Sequence, residues 1–176
     1  MKRDELLLVQ FDQVNEKEYL DFITEWENNP GKIVPGAINR KKRTFSEMMK
    51  KWADEEANVT EGFVPATLYF LKDNKNKLLG AIHFRHRLND RLKINGGHIG
   101  YGVRPSERRK GYATIMLMKL LEIIKKAKLI NNALITCDDD NIGSIKTIEN
   151  NRGILQDKIE FEGALTRRYW IDLEES

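Results

Sequence analysis

The chain has 176 residues, 40% hydrophobic and 32% charged, with 30 Lys+Arg against 27 Asp+Glu for a formal charge of +3. A chain of this length buries roughly two thirds of its unfolded surface, so one globular domain with a real core is expected, and so mild a bulk charge does not imply nucleic-acid binding. No apolar run approaches the roughly 20 residues needed to cross a bilayer. The opening MKRDELLLVQFDQ has no small-residue cleavage site after it, and the lone Cys137 excludes an internal disulfide framework or a thiolate metal cluster. A cytoplasmic domain spanning 1–176 is expected.

In chain order, ELLLVQF (5–11) reads as a short strand and NEKEYLDFITEWENN (15–29) as an amphipathic helix with Tyr19, Phe22, Ile23 and Trp26 on one face. NPGKIVPGAINR breaks the pattern with prolines and glycines and is a loop. A second helix opens at Thr44, spaced from Glu47 as a capping box, and runs through Met48, Met49, Trp52 and Ala53. The basic NRKKRTF (39–45) just before it is read as a solvated loop, with an acidic partner as the second choice. After Pro65, ATLYFLK (66–72) and KLLGAIHFRHR (77–87) are strands joined by a polar DNKN turn.

LNDRLKINGG is a turn-rich link, and HIGYGV (98–103) is the next strand. A long helix follows, in which Ala113, Met116, Leu117, Leu120, Leu121, Ile124 and Ala127 recur at the spacing of a buried stripe. NNALITCDDD (131–140) is an apolar strand ending in acids, and Asn141 caps a helix over 142–151 that Gly153 closes. ILQDKIEFEG and LTRRYWIDL end the chain as two strands turning at Glu162-Gly163. The order β-α-α-β-β-β-α-β-α-β-β predicts a single α/β (α+β) domain with a mixed, mostly antiparallel sheet flanked by helices. RRYWIDL is expected to be able to pair across a homodimer.

VRPSERRKGYATIML (103–117) carries the strongest chemical signal. A strand turning straight into a helix exposes unpaired N–H groups at the positive end of the helix dipole, which makes an anion site. Gly111 removes the side chain where a phosphate would approach the backbone, Ala113 keeps the next turn small, and Arg104, Arg108, Arg109 and Lys110 add positive charge. The Walker pattern fails because Lys110 precedes its glycine, and the dinucleotide pattern fails because Pro105 follows Gly100 and Gly102.

IGYGVRPSERRKGYATIML resembles the acetyl-CoA signature of the GNAT acetyltransferase superfamily, R/Q-x-x-G-x-G/A, here Arg108-x-x-Gly111-x-Ala113 after Val103-Arg104-Pro105. DDDNIGSIKTIENNRG resembles that family's next motif, and the element order is the family's. The resemblance implies a GNAT-like domain and an acetyl-CoA co-substrate without a metal. Backbone amides from Arg109 through Lys110, Gly111, Tyr112 and Ala113 to Thr114 would hold the pyrophosphate. Val103 and Arg104 would bond the pantetheine arm in a split between two strands, opened by a β-bulge at Tyr101-Gly102. Asn141 and Ser144 would contact the cofactor from the far side.

It further implies an N-acetyltransferase moving an acetyl group to an amine of a small molecule or a protein, directly through a tetrahedral intermediate. The acceptor would lie against residues 28–45 and 160–170. Where the family commonly has a glutamate base the chain has Gly97 and His98, and the tyrosine it often uses as general acid is missing from IENNRGIL. His98 is the candidate base and Tyr169 the candidate acid, with His83, His86 and Tyr101 behind them. Alternatives are a catalytically weak acyl-CoA-binding or regulatory protein and, further off, a basic nucleic-acid-binding domain.

Overall fold

The computed structural model describes residues 5–57 and 62–174. Its elements are β1 (Leu7–Gln10), α1 (Glu16–Glu27), α2 (Phe45–Ala57), β2 (Ala66–Lys72), β3 (Leu78–Arg85), α3 (Asp90–Ile94), β4 (Ile99–Val103), α4 (Tyr112–Lys126), β5 (Asn132–Asp138), α5 (Ile142–Asn150), β6 (Ile154–Phe161) and β7 (Ala164–Asp172). Side-chain oxygens set the first two helix starts. The Glu18 N–H donates to Asn15 at 2.9 Å and the Glu47 N–H to Thr44 at 3.2 Å, while each glutamate accepts from the backbone of its cap.

Strands β1 to β4 form an antiparallel sheet in sequence order. Period-two alternation sorts its side chains onto two faces. Leu68, Phe70 and Ala81 bury against Tyr19, Phe22, Ile23 and Trp26 of α1 and Met48 and Trp52 of α2. Tyr69, Leu71, Ile82, Phe84 and Ile99 pack on the α4 stripe of Met116, Leu117, Leu120 and Ile124. Strands β5, β7 and β6 make a second antiparallel sheet in that order, sharing the α4 core through Ala133, Ile135, Tyr169 and Ile171.

The sheets meet at one reciprocal contact. The His98 N–H donates to the Leu134 carbonyl at 2.7 Å, and the Leu134 N–H donates back to His98 Nδ1 at 2.9 Å. Gly97 sits beside it at φ 59, and a Cβ there would collide with the Leu134 carbonyl oxygen.

Several expectations are corrected. The turn-rich link contains α3, because Asn89 accepts the Leu92 N–H at 2.9 Å and so caps a helical turn. No bulge interrupts β4, whose register with β3 is continuous from Gly80↔Val103 to Phe84↔Ile99. The split opens instead because the bonds joining the start of β4 to β5 lie at one end, at His98 with Leu134 and at Gly96 N–H with Thr136 Oγ1 at 2.9 Å. Strand β7 lies between β5 and β6, so both of its edges are occupied and its backbone has no edge to offer a second copy.

The pin has a thermodynamic signature. Burial, with help from Arg85, holds the His98 imidazole down at about 4, and burial also lowers His83 and His86. An unfolded histidine titrates near 6.5, so as the pH drops below that value the unfolded chain takes up protons that the fold refuses. Stability should be full above about pH 6.5 and fall toward pH 4 with a slope of up to about 1.4 kcal/mol per pH unit for each such histidine. Urea-unfolding midpoints across that range check this, and His98→Gln should give a shallower slope.

Candidate functional site

Between β4 and α4 the chain makes a short 3-10 turn at Pro105–Glu107 and then two left-handed positions, Arg109 at φ 63 and Gly111 at φ 81. These two positions turn the chain sharply from β4 into α4. Gly111 is the N-cap of α4, with no side-chain cap and no acidic residue in the first turn. The N–H groups of Tyr112, Ala113 and Thr114 therefore open the helix without intrahelical partners, the first ladder bond being Ile115 N–H to Gly111 O at 3.2 Å. Nothing lies within 4 Å of where a Gly111 Cβ would be, so the cradle is open on that side.

The four basic residues have different tasks. Arg104 turns away from the cradle and is buried: its Nη1 bonds Asp21 at 2.8 Å and its Nε bonds Glu25. Its backbone N–H donates to Leu79 O at 2.8 Å and its carbonyl accepts the Glu107 N–H at 2.9 Å. This corrects its expected role on the cofactor arm, since its backbone is already committed and its side chain clamps α1 to the sheet. Arg108 donates from Nε to Val103 O at 3.3 Å and lies 5.1 Å from the Trp26 ring centroid, a cation–π distance. Lys110 pairs with buried Glu107 at 2.7 Å, and Lys77 pairs with the same carboxylate, so the two lysines hold that acid well below its usual range. Arg109 stays exposed at the mouth.

Across the split, the Asn141 side chain accepts the Ser144 N–H at 3.0 Å and caps α5. The Ser144 hydroxyl is 2.7 Å from that of Tyr101, so a residue of β4 reaches the first turn of α5. Burial keeps the Tyr101 phenol protonated far above neutrality and pushes the Cys137 thiol up to about 11, which makes Cys137 a poor nucleophile. The loop from α1 to α2 covers β4 on its other face, with the Val34 carbonyl set where a Gly102 Cβ would be. The Tyr19 hydroxyl donates to Ile38 O at 2.8 Å and Trp52 Nε1 to Ala37 O at 2.9 Å, and Arg40 makes two 2.6 Å bonds to Glu27. The basic segment 39–43 is thereby partly absorbed into the loop's own fold.

His98 has little freedom for proton transfer. With Nδ1 accepting from Leu134, the neutral ring carries its proton on Nε2 and has no lone pair left. Tyr169 is fully buried between β7 and α5, donating to Glu149 at 3.1 Å and accepting from Arg167 at 3.3 Å. Sequence reasoning missed Asp21, Glu25 and Glu107. The i,i+4 spacing of Asp21 and Glu25 was visible, but their partner Arg104 lies about 80 residues away.

A helix opens on bare amides after a glycine turn, beside two sheets that touch at one end and part at the other. Residues 13–154 match the Acetyltransferase (GNAT) family, and the chain belongs to that family. Over 114 residues it is 32% identical to the uncharacterized N-acetyltransferase YjdG of Bacillus subtilis (strain 168), a match spanning 65% of this chain and 62% of that relative. The structure of RimL, a ribosomal-protein alpha-N-acetyltransferase in complex with coenzyme A, superposes with a TM-score of 0.69 at 17% identity, covering 96% of this chain and 94% of that one. A spermidine N-acetyltransferase, SpeG, from Vibrio cholerae gives 0.68 at 13% identity, covering 97% and 95%. These likenesses show the same fold.

Arg104→Ala should lower stability by about 2 kcal/mol, the worth of charge-assisted bonds lost from a buried guanidinium. Chemical denaturation of the free protein measures this, and a loss appearing only in cofactor binding would contradict the clamp.

Proposed function

We propose that the protein is a single-domain N-acetyltransferase that moves the acetyl group of acetyl-CoA directly to an amine of a small molecule or a protein. The observation that carries this reading is the open start of α4, with Gly111 at φ 81, free amides after it and no acid in the first turn. The residues fit a pyrophosphate. Amides from Arg109 to Thr114 would wrap it, Arg108 and Lys110 would flank it, and Val103 would offer backbone to the pantetheine arm along β4. Asn141 and Ser144 would close the far side of the split. The bound thioester supplies the activated acyl group.

The chain's own groups supply the rest. A lysine-like amine has a pKa of about 10.4 and must be deprotonated before it can attack. A β4 backbone N–H near Val103 would bond the developing oxyanion. Tyr101, held protonated and hydrogen-bonded to Ser144, would give a proton to the departing sulfur in preference to Tyr169, which is engaged by Glu149 and Arg167. A second reading, an acyl-CoA binder with weak turnover, is favoured by one observation: the chain enters β4 through Gly97 and a His98 whose lone pair is spent.

Two measurements separate these readings. Release of free CoA from acetyl-CoA should rise when amines such as spermidine or a serine-initiated peptide are added, whereas tight binding without release selects the second. Gly111→Val should cost folding only about 1–2 kcal/mol for a side chain at positive φ, yet weaken acetyl-CoA binding by about 100-fold. Equal losses in both would remove the cradle from the argument.

A further inference from the structure

Amine acetylation needs a proton acceptor, and three carboxylates near the cradle and the split are held by cations. Glu25 is bound by Arg104, Glu107 by Lys77 and Lys110, and Asp139 by Lys158 and Arg167. One imidazole is placed differently. His83 of β3 stands opposite Gly100 of β4, on the sheet face away from α4. Its Nε2 is buried without a hydrogen-bond partner, 3.5 Å from Glu55 Oε2, while Lys51 engages the other Glu55 oxygen.

The floor beside it is the backbone of Gly100. A Cβ on Gly100 would lie 3.7 Å from Arg85 Nη2 and 3.9 Å from Pro35, ordinary van der Waals distances, whereas at Gly102 the Val34 carbonyl fills the corresponding space. Arg85 is fixed there by bonds from Nη1 to the carbonyls of Gly96 at 3.0 Å and Gly97 at 3.1 Å. Arg85 and Pro35 thus flank Gly100 on the face that its register partner His83 shares.

We propose that His83, oriented by Glu55, takes the proton of the acceptor amine over Gly100 of β4. This rests on the reading that the acetyl group of acetyl-CoA lies along β4. With Nε2 buried against the Glu55 carboxylate and carrying the neutral ring's hydrogen, the acceptor ammonium gives one proton to Nδ1, and that proton passes to solvent. The amine lone pair forms the C–N bond to the acetyl carbon as the C–S bond breaks, and the second proton lost from nitrogen goes to sulfur. The products are the amide and the free CoA thiol. Burial and Arg85 lower the His83 pKa while Glu55 raises it, with Lys51 also facing the pair, and the net lowering leaves a neutral base at pH 7.

The test follows CoA release from acetyl-CoA with spermidine, with a serine-initiated peptide and with water alone, alongside acetyl-CoA binding. His83→Gln, which preserves volume but cannot take a proton, should lower the rate by about 100-fold with acetyl-CoA affinity unchanged. His83→Ala should be rescued in part by added imidazole. Glu55→Gln should move the acidic limb of the kcat/KM profile to lower pH, because removing the anion makes the imidazole easier to deprotonate. His86→Gln, at a histidine bonded to Thr67 instead, should keep the wild-type rate.

A His83→Gln rate within about threefold of wild type, or an equal loss in His86→Gln, overturns the proposal. So does a Glu55→Gln profile that does not move together with an absence of imidazole rescue. Wild-type protein that binds acetyl-CoA yet releases no CoA under any of the three conditions sinks the transferase reading itself.

Discussion

Two sheets that share a core but almost no hydrogen bonds depend on the reciprocal pair between His98 and Leu134. A backbone N–H and an imidazole nitrogen, both buried, would each lose the energy of an unmade bond if the contact opened, so the sheets are held together at that end. Gly97 is required because only a residue without Cβ passes the Leu134 carbonyl at positive φ. Beyond this point β4 and β5 follow different ladders, one with β3 and the other with β7, and the split follows from that divergence. Tyr101 reaches Ser144 across it by its phenol.

The cradle is electrostatically quieter than its composition suggests. Arg104 is neutralised by Asp21 and Glu25, Lys110 shares Glu107 with Lys77, and Arg108 lies over the Trp26 ring. Attraction for a bound anion would therefore fall mainly to the helix-start amides and the helix dipole. The same contacts tie α1 to the strand–helix turn. Burial pushes the Glu25 carboxyl up, but its bonds to Arg104 and Ser106 outweigh that and keep it ionised, which fixes the turn against α1. The loop that covers β4 grows from that helix, so the two sides of the site share one mechanical frame.

Much of this was legible in the chain. The stripe of Met116, Leu117, Leu120, Leu121 and Ile124, the Thr44–Glu47 box, the Asn141 cap and the Gly111 turn are local patterns, set by periodicity, hydrogen bonding within a few residues and the freedom of glycine. The α3 turn was hidden because LNDRLKINGG has breakers at both ends and too few residues for a period to show. The role of Arg104 was misread because charge beside a helix start looks the same whether it faces a ligand or a distant carboxylate. His98 looked available because nothing nearby in sequence reveals that a backbone N–H of the second sheet bonds its ring.

The sequence by itself determined the strands, the longer helices, their order and the glycine turn before α4, since each rests on interactions between residues close along the chain. Only the tertiary structure decided which of the charged and titratable residues are free to act. Arg104, Glu107 and His98 are committed to partners about 80, 30 and 36 residues away. His83 is left with a buried nitrogen beside Glu55. Pairing over such distances depends on how sheets and helices stack, and local propensity carries no information about it.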